Sequence, residues 1–171
     1  KSARVDLTED NLYTLSEGSL QILSSIDEPV TLRFYYTDKV AQALPSLKAY
    51  AQRVQELLQE YQRASNGMIR LYVMEPQPFS DDEQRAKQYG LQSVPIEGEP
   101  DPLYFGLAGT NTLDGVETIP FFQPEKEDTL EYGLSKLIYK LSNESPIPYG
   151  TMTVLPNNHG LAIIDGKPIW H

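Results

Sequence analysis

The sequence predicts an α/β protein built on one mixed β-sheet, and three features of the chain support this prediction. The segments "VTLRFYYT" and "MIRLYVM" have the alternation and the β-branched and aromatic content of strands. Between them, apolar residues follow the three-and-four spacing of an amphipathic helix. Later in the chain, turn-forming residues separate the apolar runs "LYFGLAG" and "VETIPFF". A strand–helix–strand unit followed by a hairpin predicts both parallel and antiparallel neighbours in one sheet.

A helix is predicted before the first strand. Ser16 is placed to cap it, it extends to about Ile26, and Asp27-Glu28-Pro29 ends it. The first strand follows from Val30 to Thr37, and Asn66-Gly67 ends the long helix after it. The apolar stripe of that long helix consists of Leu47, Tyr50, Ala51, Val54, Leu57, Leu58 and Tyr61.

Two further helices are predicted from their caps and apolar stripes. Ser80 and Glu83 form a capping box for a short helix that Gly90 ends. Asp128 or Thr129 is placed to cap a final helix. The stripe of this final helix consists of Leu130, Leu134, Leu137, Ile138 and Leu141.

The order of these elements is β-α-β-α-β-β-α after an N-terminal helix, which is the plan of a thioredoxin-like three-layer sandwich with a mixed sheet. We expect an N-terminal membrane-proximal segment with a helix at residues 1–29 and a thioredoxin-like domain without cysteine at residues 30–143. Residues 144–171 are predicted to form a short β extension, which is either a linker with a hairpin or the start of a further domain.

Composition excludes several classes of function. The chain has 171 residues, 40% of them hydrophobic, and a formal net charge of −10, which argues against a nucleic-acid partner. It contains no cysteine, so thiolate catalysis, disulfides and iron–sulfur clusters are excluded. No window has the apolar length needed to cross a bilayer.

The predicted binding site lies where a redox member of this fold would carry its dithiol. Thr37, Asp38 and Lys39 occupy the loop after the first strand, and the Val94-Pro95 dipeptide is expected opposite them with a cis peptide bond. A threonine hydroxyl without an adjacent base is a poor nucleophile. These five residues therefore predict a ligand or peptide groove that binds by shape and backbone pairing. The alternative is that Asp38 and Lys39 form an ordinary solvated pair.

Other polar clusters give weaker signals. Glu97, Glu99 and Asp101 offer oxygen ligands but lack the spacing of a calcium loop, so a solvated acidic loop is the preferred interpretation. Neither His159 nor His171 has a plausible catalytic or ligating partner in the sequence. No serine-hydrolase elbow, zincin helix or P-loop is present, and we predict no catalytic residue, metal or cofactor.

The chain contains eleven tyrosines. We expect most of them at the edge of the core and a minority at an interface. Those on the first two predicted strands and on the long helix are Tyr35, Tyr36, Tyr50, Tyr61 and Tyr72.

The segments "RVDLTEDNLYTLSEGSLQILSSIDEPVTLRFYYT", "LKAYAQRVQELLQEY" and "AKQYGLQSVPI" resemble the auxiliary component of gliding-motility-type ABC transport systems, a family that shares a domain with intraflagellar-transport proteins. The resemblance covers roughly residues 4–140. It is most specific at Arg4, Asp6, Leu7, Thr8, Leu15, Ser16 and the Asp27-Glu28-Pro29-Val30 run.

The resemblance implies a place for the chain in the cell. A membrane-spanning helix would precede Lys1, and the domain would stand on the extracytoplasmic, periplasmic side of the bacterial inner membrane. The expected partners are the permease or the ATPase-associated subunits of the transporter. The resemblance implies no catalytic residue in this sequence.

Three functions are consistent with these observations. The leading hypothesis is a non-enzymatic interaction or ligand-binding domain of a membrane-anchored transporter auxiliary protein. The second is a cysteine-free, transferase-like enzyme, and the third is a structural module that forms homo-oligomers through its tyrosines. Fold alone does not choose among them.

Overall fold

The computed structural model describes residues 14–143, together with the backbone of three short strands in the C-terminal region. The helices are α1 (Glu17–Ser24), α2 (Asp38–Ala41), α3 (Pro45–Ala64), α4 (Asp81–Gln88) and α5 (Leu130–Asn143), and a 3-10 helix at Pro124–Thr129 leads into α5. The strands are β1 (Val30–Tyr36), β2 (Ile69–Met74), β3 (Ser93–Val94), β4 (Leu103–Thr110), β5 (Val116–Ile119), β6 (Met152–Thr153), β7 (Leu161–Ile164) and β8 (Lys167–Trp170).

The main sheet has five strands and is mixed, so the predicted α/β class is confirmed. Strand β1 lies at the centre, with β2 parallel on one side and β4 antiparallel on the other. The outer edge of β4 pairs with β3 at its beginning and with β5 along its second half. The crossover from β1 to β2 contains α3, as a parallel connection requires.

The larger core lies on the sheet face that α1, α3 and α5 cover. Alternate β1 residues, namely Val30, Leu32, Phe34 and Tyr36, point into this core and meet Leu103, Phe105 and Leu107 of β4. The α3 stripe predicted from spacing is buried at Tyr50, Ala51, Val54, Leu57, Leu58 and Tyr61. Because side chains alternate along β1 and β4, the residues between these core positions point to the other face of the sheet.

The N-terminal helix packs on this same core and does not stand apart from it. Ser16 caps α1 by accepting a hydrogen bond from the Ser19 amide, as predicted. Leu15, Leu23 and Ile26 are buried in the larger core. A polar contact adds to this packing, because Ser19 bonds both Glu131 and Ser135 of α5.

Several local features differ from the sequence prediction. Residues 38–41 form the short helix α2 where a loop was expected, and Pro124–Thr129 forms a 3-10 turn instead of a simple cap. The two-residue strand β3 was not predicted. In the C-terminal region, β6, β7 and β8 pair in an antiparallel sheet, where the prediction was a β extension formed by a hairpin or by the start of a further domain. His159 and His171 lie outside the described residues.

Among the described residues, no helix combines the length and the apolar character needed to cross a bilayer.

Candidate functional site

Thr37 extends the sheet and does not present a free hydroxyl. Its backbone amide donates to the Tyr104 carbonyl at 3.1 Å, and its Oγ1 accepts from the Tyr104 amide at 2.9 Å. The side chain is buried. Because the amide and the hydroxyl of Thr37 both bond the backbone of Tyr104 in β4, Thr37 has a structural role at the end of β1.

Asp38 lies beside a polar cavity of about 340 Å³ between the end of β1 and one flank of α3. Its carboxylate bonds Lys48 at 3.2 Å and Gln42 at 3.0 Å. Burial, together with the nearby carboxylates of Asp38 and Glu75, raises the pKa of Tyr36 to about 12. The Tyr36 phenol therefore stays protonated at neutral pH and does not serve as a base.

Lys39 is exposed, and its backbone amide donates to the Glu75 carboxylate at 3.0 Å. This bond connects the beginning of α2 to the residue that follows β2. No catalytic base is placed next to a nucleophile in this loop, since the Asp38 carboxylate is shared between Lys48 and Gln42.

The prediction of a cis bond at Val94-Pro95 is wrong, because the described residues contain no cis peptide bond. The proline directly before β4 is Pro102, whereas Pro95 follows β3 and is exposed. Ser93 pairs with Tyr104 on the edge of β4 opposite to Thr37. The width of β4 therefore separates Val94-Pro95 from the Thr37 loop, by about 10 Å for two strand spacings.

The acidic loop with Glu97, Glu99 and Asp101 joins β3 to β4. Within the part of the chain that the structure describes, no group of three potential ligands is arranged to hold a metal ion.

Within residues 14–143, the second face of the main sheet is only partly covered. Helix α4 packs on one end of it, where Ala86 and Leu91 meet Tyr35, Tyr104 and Ala108. Glu83 of α4 also accepts a hydrogen bond from the Tyr104 hydroxyl at 3.2 Å. An eight-residue helix is about 12 Å long, whereas an eight-residue strand is about 26 Å long. Helix α4 therefore leaves the other end of this face uncovered.

Two rows of side chains form this uncovered end, which we call the open sheet face. Pairing places one row in the order Tyr72, Arg33, Ala108 and Thr118, in which Ala108 is buried at the border with α4. The next row has the order Arg70, Thr31, Thr110 and Val116. Tyr72 is 50% exposed and Val116 is 47% exposed. The surface thus combines an aromatic ring, hydroxyl groups and two arginines on a rigid support.

The arginines of the open sheet face have no acidic partner within residues 14–143. The Arg33 guanidinium lies 5.9 Å from the centre of the Tyr72 ring and donates to the Thr110 hydroxyl at 3.5 Å. None of the ion pairs in the described region includes Arg33 or Arg70. In a chain with a net charge of −10, two such arginines make this face locally positive.

The outer edge of β2 is partly closed to another strand. In the parallel ladder, Ile69 and Leu71 direct their amides away from β1. Ser65 Oγ accepts from the Ile69 amide at 2.9 Å, and Gln62 Oε1 accepts from the Leu71 amide at 2.8 Å. Capping of exposed edge groups limits strand addition, so the face of the sheet is a better docking surface than its edge.

Sequence reasoning missed this surface, although a signal was present. Arg33 stands between apolar residues in the alternating segment "VTLRFYYT", and a short helix is predicted between Ser80 and Gly90. The length of that helix indicates that it cannot cover a whole sheet face. Tyr35, Tyr36, Tyr50 and Tyr61 are buried in the two cores, whereas Tyr72 is exposed. A role for the exposed tyrosines at an interface stays a prediction.

Fold and surface together define an α/β domain with a partly uncovered polar sheet face. The chain belongs to a family that is defined by a domain of unknown function, DUF7088, whose model matches residues 9–110. That region extends from before α1 to the last residue of β4. No curated protein and no solved structure matches the chain.

Proposed function

We propose that this chain is a non-enzymatic interaction domain of a membrane-anchored auxiliary component of an ABC transport system. In this proposal it stands on the extracytoplasmic side of the bacterial inner membrane and contacts a permease or an ATPase-associated subunit. The open sheet face is the contact surface, and the partner presents carboxylates to Arg33 and Arg70.

The observation that carries this proposal is the position of the two arginines. Neither has an acidic partner within residues 14–143, and the strands hold them on one face with the exposed Tyr72 ring. Arginine and tyrosine are enriched at protein interfaces, where a planar guanidinium forms bidentate bonds with carboxylates. An acidic partner surface therefore complements this face.

Local chemistry supports a binding role over catalysis. The Thr37 hydroxyl is occupied by the Tyr104 backbone, and the Asp38 carboxylate is shared by Lys48 and Gln42. Burial and nearby carboxylates keep the pKa of the Tyr36 phenol at about 12. The residues around the predicted groove thus lack an activated nucleophile.

Topology and sequence support the rest of the proposal. A parallel β1–β2 pair joined by α3, next to an antiparallel β4–β5 hairpin, is the arrangement expected of a thioredoxin-like domain. The placement in a transport system relies on the resemblance of residues 4–140 and on no structural feature.

Charge reversal on the open sheet face tests the proposal. Full-length protein with Arg33→Glu and Arg70→Glu is used to capture transporter subunits from solubilised membranes. We expect capture to fall about tenfold or more, because each substitution converts an attraction into a repulsion. Raising the ionic strength weakens capture by the unmodified protein for the same reason.

The matched control carries Arg63→Glu and Lys136→Glu, which change the net charge equally. Both control residues are exposed on α3 and α5, which cover the opposite face. An equal loss of subunit capture in the control and in the test variant would contradict the proposal that the open sheet face is the contact surface. Absence of any transporter subunit from the unmodified sample would contradict the transport assignment.

A further inference from the structure

A second concave site lies where β5 meets the beginning of α5, and Thr118, at the end of one row of the open sheet face, is one of its lining residues. It is a cavity of about 390 Å³ between the last residues of β5, the segment that follows them and the beginning of α5. Its volume falls in the range of small-molecule sites. Its apolar lining residues include Phe121, Phe122, Tyr50 and Leu130. Tyr50 and Phe122 are only 2% and 3% exposed, so Phe121 is the most accessible of the three aromatic residues.

Gly133 makes room for this cavity. It lies one turn inside α5, where glycine is the poorest helix former apart from proline. A Cβ built at Gly133 would meet no heavy atom within 4 Å, so no close packing against a neighbour requires a glycine. The absent side chain instead leaves open space in the wall of the cavity, which Gly133 lines.

The charged residue that lines the cavity is basic. Lys126 lines it, and none of the lining residues is acidic. The ion pairs of residues 14–143 do not include Lys126. Glu127, the carboxylate next to it in sequence, bonds Arg53 at 2.6 Å. The amides of Gln92 and Gln123 also line the cavity and can donate hydrogen bonds.

We propose that this cavity binds a small organic carboxylate with an aromatic body. The aromatic body packs among Phe121, Phe122 and Tyr50, and the carboxylate faces Lys126 at the rim. Aromatic rings stack on such a lining, and a lysine without an acidic partner selects a negative group. This inference is independent of the proposed docking by the open sheet face.

The test is a titration of the full 171-residue chain with 8-anilinonaphthalene-1-sulfonate, an aromatic anion whose fluorescence rises when it leaves water. We expect saturable binding at one site. The variant Gly133→Leu fills the cavity while replacing a poor helix former with a good one. It is expected to lower the affinity about tenfold or more, because the side chain occupies the binding volume.

Charge selectivity is tested separately. Lys126→Gln should lower the affinity about two- to fivefold, which is typical of a solvent-exposed ion pair. Displacement of the dye by 3-phenylpropanoate should be stronger than displacement by 3-phenylpropanamide, which has the same ring but no charge. This comparison uses the unmodified protein and does not depend on the folding of a variant.

Matched controls use the same substitutions elsewhere. One control is Gly18→Leu, because Gly18 lies on the exposed side of α1 and a Cβ there would meet only Ser16 Oγ at 4.0 Å. The other is Lys136→Gln, because Lys136 is exposed on α5. Neither should change the affinity for the dye. Unchanged affinity in a folded Gly133→Leu variant would overturn the assigned site. Equal displacement by the acid and the amide, or no binding of dye and acid at all, would overturn the assigned ligand class.

Discussion

The hydrogen bonds of Glu131 hold α1 against the rest of the domain, and their removal should weaken the fold measurably. Glu131 Oε2 accepts from Ser19 Oγ at 2.6 Å and from the Ser16 amide at 2.8 Å. Ser19 and Tyr61 both bond Ser135 at 2.6 Å, so the network also reaches α3. One carboxylate thus connects the cap of α1 to α5.

Replacement by glutamine keeps the size of the side chain and removes its charge. A hydrogen bond to a charged group contributes about 1.5–3 kcal/mol when it is buried. Glu131 is only partly buried, and a glutamine oxygen still accepts one bond, so both effects reduce the loss. We expect Glu131→Gln to lower the free energy of unfolding by about 1–2 kcal/mol at pH 7.

The pH dependence follows from the pKa of Glu131. Burial by itself disfavours ionisation, but the hydrogen bonds from Ser19 and Ser16 outweigh it and lower the pKa below its ordinary value of 4.5. The charged form therefore stabilises the fold above pH 4.5, and this contribution is lost as the pH falls through the lowered pKa. The difference between the two proteins should narrow over that acidic range.

Urea unfolding at a series of pH values from 7 to 3 measures this difference. Glu125→Gln is the control, because the Glu125 side chain is exposed and forms no hydrogen bond or ion pair with described residues. It should have little effect on the free energy of unfolding. A Glu131→Gln difference that stays constant across the series, or one below about 0.5 kcal/mol at pH 7, would refute the role given to the carboxylate.

Two further predictions concern backbone positions. Gly106→Ala should cost about 3 kcal/mol or more, whereas Gly109→Ala should cost about 1 kcal/mol, both measured by urea unfolding. A Cβ at Gly106 would lie 2.8 Å from the Ile119 and Pro120 carbonyl oxygens, but at Gly109 the closest atom is a movable methyl group of Leu141 at 2.7 Å. The reverse ranking would contradict this distinction. Phe79 has a φ of 64° and is 99% exposed, so Phe79→Asn should raise stability by about 1 kcal/mol in thermal unfolding. A lower melting temperature would show that the phenyl ring contributes to packing.

Most secondary structure was predictable because its signals are local. Ser16 and Ser80 cap their helices through their own side chains, and the α3 stripe is buried as its spacing predicts. Strand β1 extends from Val30 to Tyr36, close to the predicted limits. Two-residue β3 was not predictable in this way, because a segment so short is a strand only when β4 supplies its partner.

The candidate sites were less predictable than the helices and strands. Thr37 was predicted at a groove, but its hydroxyl bonds the Tyr104 backbone, a residue 67 positions away. The dipeptide Val94-Pro95 lies on the opposite side of β4 and has a trans bond. The cavity at Gly133 is lined by residues between Thr118 and Gly133 together with Tyr50 and Gln92, and no local pattern predicts that these residues enclose a cavity.

By itself, the sequence determined the α/β class, the parallel β1–β2 unit and the absence of thiol chemistry, because periodicity, caps and composition are properties of single segments. Only the tertiary structure decided which side chains share a surface. Register between strands brings Arg33 and Arg70 to one face, and the length and position of α4 leave that face uncovered. These relations depend on pairing across the chain, which the alternation within one strand does not specify.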